Sequence, residues 1–150
     1  MENLKIRKLT KNDIDIIPDI IKLLASYEKR PHDMTAIKQD LSYWLFDRNI
    51  ATFLVAEDGE QIVGYAIYYP MFASFSGCGK IYIEDILIKK EFRGKGYGSQ
   101  FFKAIQALAK SEGYSKLEWS CLDWNTPSIA FYEKMGAEIE KGSTHFEKEI

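Results

Sequence analysis

The sequence predicts an α/β fold, one mixed sheet flanked by helices. Three observations carry that prediction. Runs of period-two alternation are interleaved with runs whose apolar residues recur every three or four positions, so strands and helices succeed one another along the chain. The run Lys80 to Ile88 is strongly apolar and isoleucine-rich, as a well-buried strand is. A glycine-rich turn, Arg93 to Gly98, leads from that run into a helical one.

The elements follow in order. Leu4 to Leu9 alternates and reads as a first strand. Thr10 starts a helix, with Asp13 in the capping-box position in place of the usual Glu or Gln. Ile14, Ile17, Ile20, Ile21 and Leu24 form its apolar face, and Pro31 ends or interrupts it. A second helix is expected over Met34 to Asp47, with Ile37, Leu41, Trp44 and Leu45 as its stripe. Thr52 to Glu57 is the next strand and Asp58-Gly59 a hairpin signal. Gln61 to Tyr69 is the returning strand, stopped by Pro70, and Met71 to Gly79 reads as a loop. After the glycine-rich turn a helix runs from about Gly98 to Glu112, with Phe101, Ile105, Leu108 and Ala109 inward and Gly113 past its end. Lys116 to Leu122 is a strand, and Thr126 or Pro127 to Met135 a helix closed by Gly136. Ala137 to Ile150 is expected to hold one or two final strands.

Composition bounds the function. The 150 residues, 46% hydrophobic, are enough for one domain with one core, spanning 1–150. A formal net charge of -2 excludes a basic nucleic-acid platform. No apolar run reaches membrane-spanning length, and Met1 to Lys8 lacks the apolar core of a signal peptide, so a cytoplasmic protein is expected. Cys78 and Cys121 are far apart and lack metal-ligand spacing, which favours free thiols. His32 and His145 make no ligand pair at i, i+4, so no metal is expected.

The turn Arg93-Gly94-Lys95-Gly96-Tyr97-Gly98 is the most informative segment. Its alternate glycines let backbone approach a ligand closely, and the following helix start offers free N–H groups to an anion. Arg93 and Lys95 add positive charge, so a pyrophosphate is the natural guest. A Walker A loop is excluded by the missing Gly-Lys-Ser/Thr. The glycine spacing and the late position in the chain also exclude a Rossmann fingerprint.

Arg93-x-x-Gly96-x-Gly98 resembles the acetyl-CoA signature of the GNAT N-acetyltransferase superfamily, and the element order is also that superfamily's. Within it the chain is similar to the spermidine/spermine (diamine) acetyltransferases, through Ile81-Tyr82-Ile83-Glu84-Asp85, Asn125-Thr126-Pro127-Ser128-Ile129-Ala130-Phe131-Tyr132 and Ala25-Ser26-Tyr27-Glu28. The resemblance implies a central, mostly antiparallel sheet and a homodimer that uses acetyl-CoA without a metal. It implies that the backbone of Ile86, Leu87 and Ile88 pairs with the pantetheine arm. Arg93, Gly94, Lys95, Gly96, Tyr97, Gly98 and Ser99 would cradle the pyrophosphate. Asn125, Pro127 and Ser128 would line the cofactor from the other side, with Tyr132 near its sulfur. The chain has a shorter connection at Asp58-Gly59 than the eukaryotic-type diamine enzymes, ends earlier, at Ile150, and carries Ser74, Phe75 and Ser76 in the segment facing the acceptor.

Acetyl transfer to an amine needs a base, because an alkylammonium has a pKa of roughly 10. It also needs a proton for the leaving thiolate, whose pKa of about 8.5 makes that demand modest. The resemblance points to Glu84 as base through a water, to Asp85, Tyr27 and Glu28 as binders of the amine, and to Tyr132 as proton donor. Neighbours in a strand face opposite ways, so Glu84 and Asp85 share a pocket only if the strand bulges. The same two carboxylates also fit a surface pair bridged to Lys80 or Lys89. Glu28, followed by Lys29 and Arg30, also fits a solvated charge cluster, and Tyr132 an amphipathic core tyrosine. Asn125 fits a helix cap, and Cys121, with no histidine beside it in sequence, fits packing rather than a nucleophile. A protein amine or amino-acid analogue as acceptor, and a non-catalytic acetyl-CoA-binding module, are the alternative readings.

Overall fold

Five strands form one sheet in the computed structural model, which describes residues 4–150. They lie in sequence order: β1 (Leu4–Lys8), β2 (Thr52–Asp58), β3 (Gln61–Ala73), β4 (Cys78–Ile88) and β5 (Leu117–Trp119). The first three pairings are antiparallel and β4 with β5 is parallel, so the sheet is mixed and mostly antiparallel, as expected. The chain forms two units, one ending at Ser120 and one over Cys121–Ile150.

One face of the first unit's sheet carries Phe53, Val55, Tyr65, Ile67 and Leu87. Against it packs α1 (Ile17–Tyr27), entered through a tight turn over Lys11–Ile16. Thr10 and Asp13 do start this stretch: the Thr10 N–H donates to Asp13 Oδ2 at 2.8 Å. Ile17 and Ile20 are buried in that core, with Ile14, Ile21 and Leu24 beside them. The expected second helix is shorter: α2 (Lys38–Ser42) continues in a wider turn over Tyr43–Asp47. Residues 34–37 remain outside it, because Ile37 is extended and no side chain caps the start. Its stripe is correspondingly reduced. Leu41 and Leu45 join the core, whereas Ile37 and Trp44 are exposed, and Trp44 lies under the Arg48 guanidinium at 5.2 Å.

The opposite face belongs to α3 (Tyr97–Ser111), which buries Tyr97, Phe101, Phe102, Ile105 and Ala109. Phe102 meets the Trp119 ring edge-on at 5.1 Å. Leu108, expected inward, is only half-buried. Beyond the helix Glu112 accepts from Lys8 Nζ at 3.2 Å and from the Tyr68 hydroxyl at 3.3 Å.

Strand β3 does not stop at Pro70. It continues to Ala73, with Pro70 opposite Ile81. The β2 ladder ends at Tyr68, so one side of β3 is open there and a proline costs no ladder bond on that side. Most of the expected Met71–Gly79 loop is therefore hairpin, and only residues 74–77 turn. Strand β5 is correspondingly short, because only Leu117, Glu118 and Trp119 find partners in β4. In the second unit, α4 (Thr126–Lys134) forms as expected. The final strands over Ala137 to Ile150 do not: those residues pair with no strand and are largely exposed.

One close approach fixes the sheet where β3 meets the end of β4. Gly64 lies opposite Ile88, and an added Cβ would stand 2.6 Å from the Leu87 carbonyl oxygen. Backbone cannot yield as a side-chain tip can. Gly64→Ala is therefore expected to lower unfolding stability by about 1–3 kcal/mol, read from the denaturant midpoint; an unshifted midpoint would show that the strands part there without cost.

Candidate active site

Strand β4 takes one more residue than β3 in the middle of their ladder. Asp85 pairs with Ile67 and Ile83 with Tyr68, which leaves Glu84 as the extra residue of a bulge. Ile83 thus stays in the buried interior while Asp85 turns to the face of Tyr65 and Ile67. The Tyr65 hydroxyl donates to Asp85 Oδ2 at 3.0 Å, and the Tyr69 hydroxyl, on the same side of β3, donates to Glu84 Oε1 at 3.3 Å. The bulge that shared use of both carboxylates demands is present, and their partners are tyrosines. The alternative bridge to Lys80 is absent: Lys80 Nζ meets Glu118 at 2.8 Å.

Burial pushes the Asp85 carboxyl up to about 6. The Tyr65 hydroxyl works against that rise; the charges of Glu84 and Glu28 add to it, and Arg30 lowers it. Tyr65 itself, 1% exposed, is held strongly protonated by burial and by Asp85. Tyr69 is raised by burial and by Glu84.

The carboxylate of Glu28 reaches this face from the end of α1. The Arg30 N–H donates to the Ala25 carbonyl at 3.0 Å and the Lys29 N–H to the Ser26 carbonyl at 3.1 Å. This closes the helix with Lys29 in the left-handed conformation, φ 63°, which glycine usually takes. Arg30 then turns back onto Glu28, with Nε and a terminal nitrogen at 3.1 and 3.0 Å from Oε1. Tyr27 lies under the Arg93 guanidinium at 4.7 Å, and Arg93 Nε donates to the Ile88 carbonyl at 2.8 Å. Arg93 therefore ties the end of β4 to the end of α1.

Beyond Arg93 the backbone opens. Gly94 and Gly96 have φ of 75° and 83°, and Gly96 precedes α3 with no side-chain cap. The first N–H groups of a fifteen-residue helix are therefore left to a ligand. Upstream, β5 pairs only with Ile81–Ile83, so among the described strands none covers that edge of β4 from Glu84 to Ile88. Lys95 Nζ sits over the Phe92 ring at 5.7 Å, and the buried Tyr97 donates to Asp58. In the second unit, Asn125 is 6% exposed and accepts from the Ser128 N–H at 3.4 Å, so it does cap α4, with Pro127 in its first turn. Tyr132 meets Phe131 edge-on at 5.5 Å.

An open strand edge that runs into an uncapped helix start offers backbone groups suited to an extended, anionic ligand. Residues 17–137 match the acetyltransferase (GNAT) family, and the chain belongs to that family, the acetyl-CoA-dependent N-acetyltransferases. It is 32% identical over 146 residues to a thialysine N-epsilon-acetyltransferase of Sus scrofa, covering 91% of this chain and 85% of that one. It is 28% identical over 145 residues to a spermidine/spermine N(1)-acetyltransferase-like protein 1 of Homo sapiens, covering 91% of this chain and 21% of that one. Its fold matches that of an aminoglycoside acetyltransferase from a soil metagenome, with a TM-score of 0.81 at 20% identity over 98% of this chain and 96% of that one.

The residues present fit the family's cosubstrate. The β4 edge offers backbone groups to an amide-bearing arm, and the helix start offers them to a pyrophosphate. A Cβ at Gly94 would meet nothing within 4 Å, so that position needs glycine for its backbone angle and not for room. Among the described residues no group of three or more His, Cys, Asp or Glu is placed to hold a metal ion, and no helix is long and apolar enough to cross a membrane.

Sequence reasoning did not assign Tyr65 or Arg30 to the site. Tyr65 was legible in principle: alternation puts Tyr65, Ile67 and Tyr69 on one face, next to the strand that carries the carboxylates. Arg30 was not, because only the left-handed Lys29 turns it back.

Asp85 holds its proton to higher pH folded than unfolded, where its carboxyl has the usual value near 3.8. Its contribution to stability is therefore full below about pH 4 and lost as pH rises through about 6. Asp85→Asn keeps an acceptor for Tyr65 without the charge. The variant is expected to be about 1–3 kcal/mol more stable than the parent above pH 7, with no advantage near pH 4, in melting curves across that range. An equal advantage at both ends would contradict a buried, pH-sensitive carboxylate.

Proposed function

We propose that the chain, working as one domain over residues 1–150, transfers the acetyl group of acetyl-CoA to a small molecule with two ammonium groups at the ends of a short chain. A diamine and a diamino acid both qualify. One observation carries this reading: the β4 bulge turns Glu84 and Asp85 to one side, with Glu28 nearby, at the point where the open edge of β4 begins. One ammonium must lose its proton there and the other must be held, and both tasks call for carboxylates. The relatives support it through their names, since thialysine, spermidine and spermine each carry more than one amine.

In the proposed step the ammonium passes a proton to Glu84, through water or directly. The free amine forms the C–N bond at the thioester carbon, and the C–S bond breaks. The departing thiolate takes a proton from Tyr132, the role that resemblance to the diamine acetyltransferases implies, and the second proton of the amine nitrogen, lost as the amide forms, restores the phenol through solvent. Ile86 to Ile88 hold the pantetheine arm and Gly94 to Ser99 the pyrophosphate. Asp85 and Glu28 bind the second ammonium. No acetyl-enzyme forms, because no nucleophile stands beside a base in the sequence.

Thiol release with acetyl-CoA is expected for putrescine, spermidine, ornithine or thialysine and to be weak for a peptide amine; turnover confined to the peptide would overturn the acceptor class. Glu84→Gln is expected to lower kcat/KM by roughly 10²–10⁴, most at low pH where the amine is most protonated. A pH profile parallel to the parent's would remove Glu84 as base. Tyr132→Phe should lower kcat and leave KM for acetyl-CoA within about twofold, as loss of a group acting only on the departing thiolate requires.

A further inference from the structure

The acidic face contains one guanidinium that a slot built only for dications would not keep. Arg30 lies against Glu28, and its charge is felt at Asp85. Like charge repels a second ammonium, so for a pure diamine Arg30 is a liability. Both of its contacts fall on Glu28 Oε1. Glu28 Oε2 and the second terminal nitrogen of Arg30 have no partner among the contacts of the described residues. The Arg30 side chain is 54% exposed and that of Glu28 21%, so the cation is the more open member of the pair. The chain also accepts a left-handed lysine, at a cost of order 1 kcal/mol, in the turn that creates this pairing.

We propose that Arg30 is a specificity-determining residue: its guanidinium receives the α-carboxylate of a diamino acid while Glu28 receives the adjacent α-ammonium, leaving the distal amine as the acetylated one. The inference rests on the two-ammonium reading above. An α-amino acid offers its charges on one carbon, as neighbours of opposite sign, and the Glu28–Arg30 pair is the complement of that arrangement. Arginine suits it because the planar guanidinium bonds carboxylates through parallel N–H groups.

The test uses matched substrates that differ only in the carboxylate: L-ornithine against putrescine, and L-lysine against cadaverine. Arg30→Met is expected to lower the ratio of kcat/KM for the amino acid over its diamine by about tenfold or more, chiefly through KM, and Arg30→Lys to restore part of it. Because each ratio is taken within one preparation, a loss of folded protein cancels. A ratio that stays within about twofold of the parent's in Arg30→Met overturns the inference and leaves the two-ammonium reading standing. Absence of turnover by the parent with all four amines overturns both.

Discussion

Between Ile83 and Asp85 the fourth strand holds one residue more than its partner, and the site depends on that extra residue. In a regular strand Ile83 and Asp85 would share a face and Glu84 the other. The bulge separates them. Ile83 keeps its place in the interior, Asp85 joins Tyr65, and Glu84 swings to Tyr69. Bulges also bend and twist a strand. The fifth strand follows β4 only as far as Ile83, and β4 continues past it with a bare edge. One irregularity thus accompanies both halves of the site, the paired carboxylates and the edge offered to the cosubstrate.

Bringing Glu28, Glu84 and Asp85 together without a bound cation costs free energy, and the structure shows how the cost is met. Each strand carboxylate takes a tyrosine hydroxyl from β3, and Glu28 takes Arg30. The remaining strain appears as the raised Asp85 carboxyl. On the proposed reading an ammonium held between these carboxylates would offset that cost.

Local signals made most of this legible. Alternation and the Asp58-Gly59 turn located the first strands, and the glycines from Arg93 to Gly98 located the turn into α3. The sequence failed where pairing partners decide. Pro70 looks like a stop, yet the strand continues because its β2 neighbour has already ended. Lys116 to Leu122 looks like a full strand, yet only three residues meet β4. Ala137 to Ile150 alternates in part and finds no ladder partner. The bulge was legible only as a condition, since adjacent carboxylates in an apolar strand require one if both are to serve. Its position follows from the register of two strands, which neither strand carries alone.

The division of labour along the first unit bears on how acceptors differ among such enzymes. On the proposed reading the cosubstrate is held by backbone, at the β4 edge and at the start of α3, and backbone tolerates side-chain change. On the same reading the acceptor is held by side chains, and those at the end of α1 sit in a helix cap closed by the left-handed Lys29. Arg93 joins the two regions, bonded to Ile88 on one side and stacked on Tyr27 on the other. A substitution at Arg30 therefore alters the charge beside Glu28 and leaves the Arg93 contact with the strand end in place, whereas one at Arg93 loosens strand end and helix end at once. On the proposed reading acceptor choice, at the helix end, is thus separate from the hold on the acetyl donor, and a scaffold divided in that way can serve more than one amine.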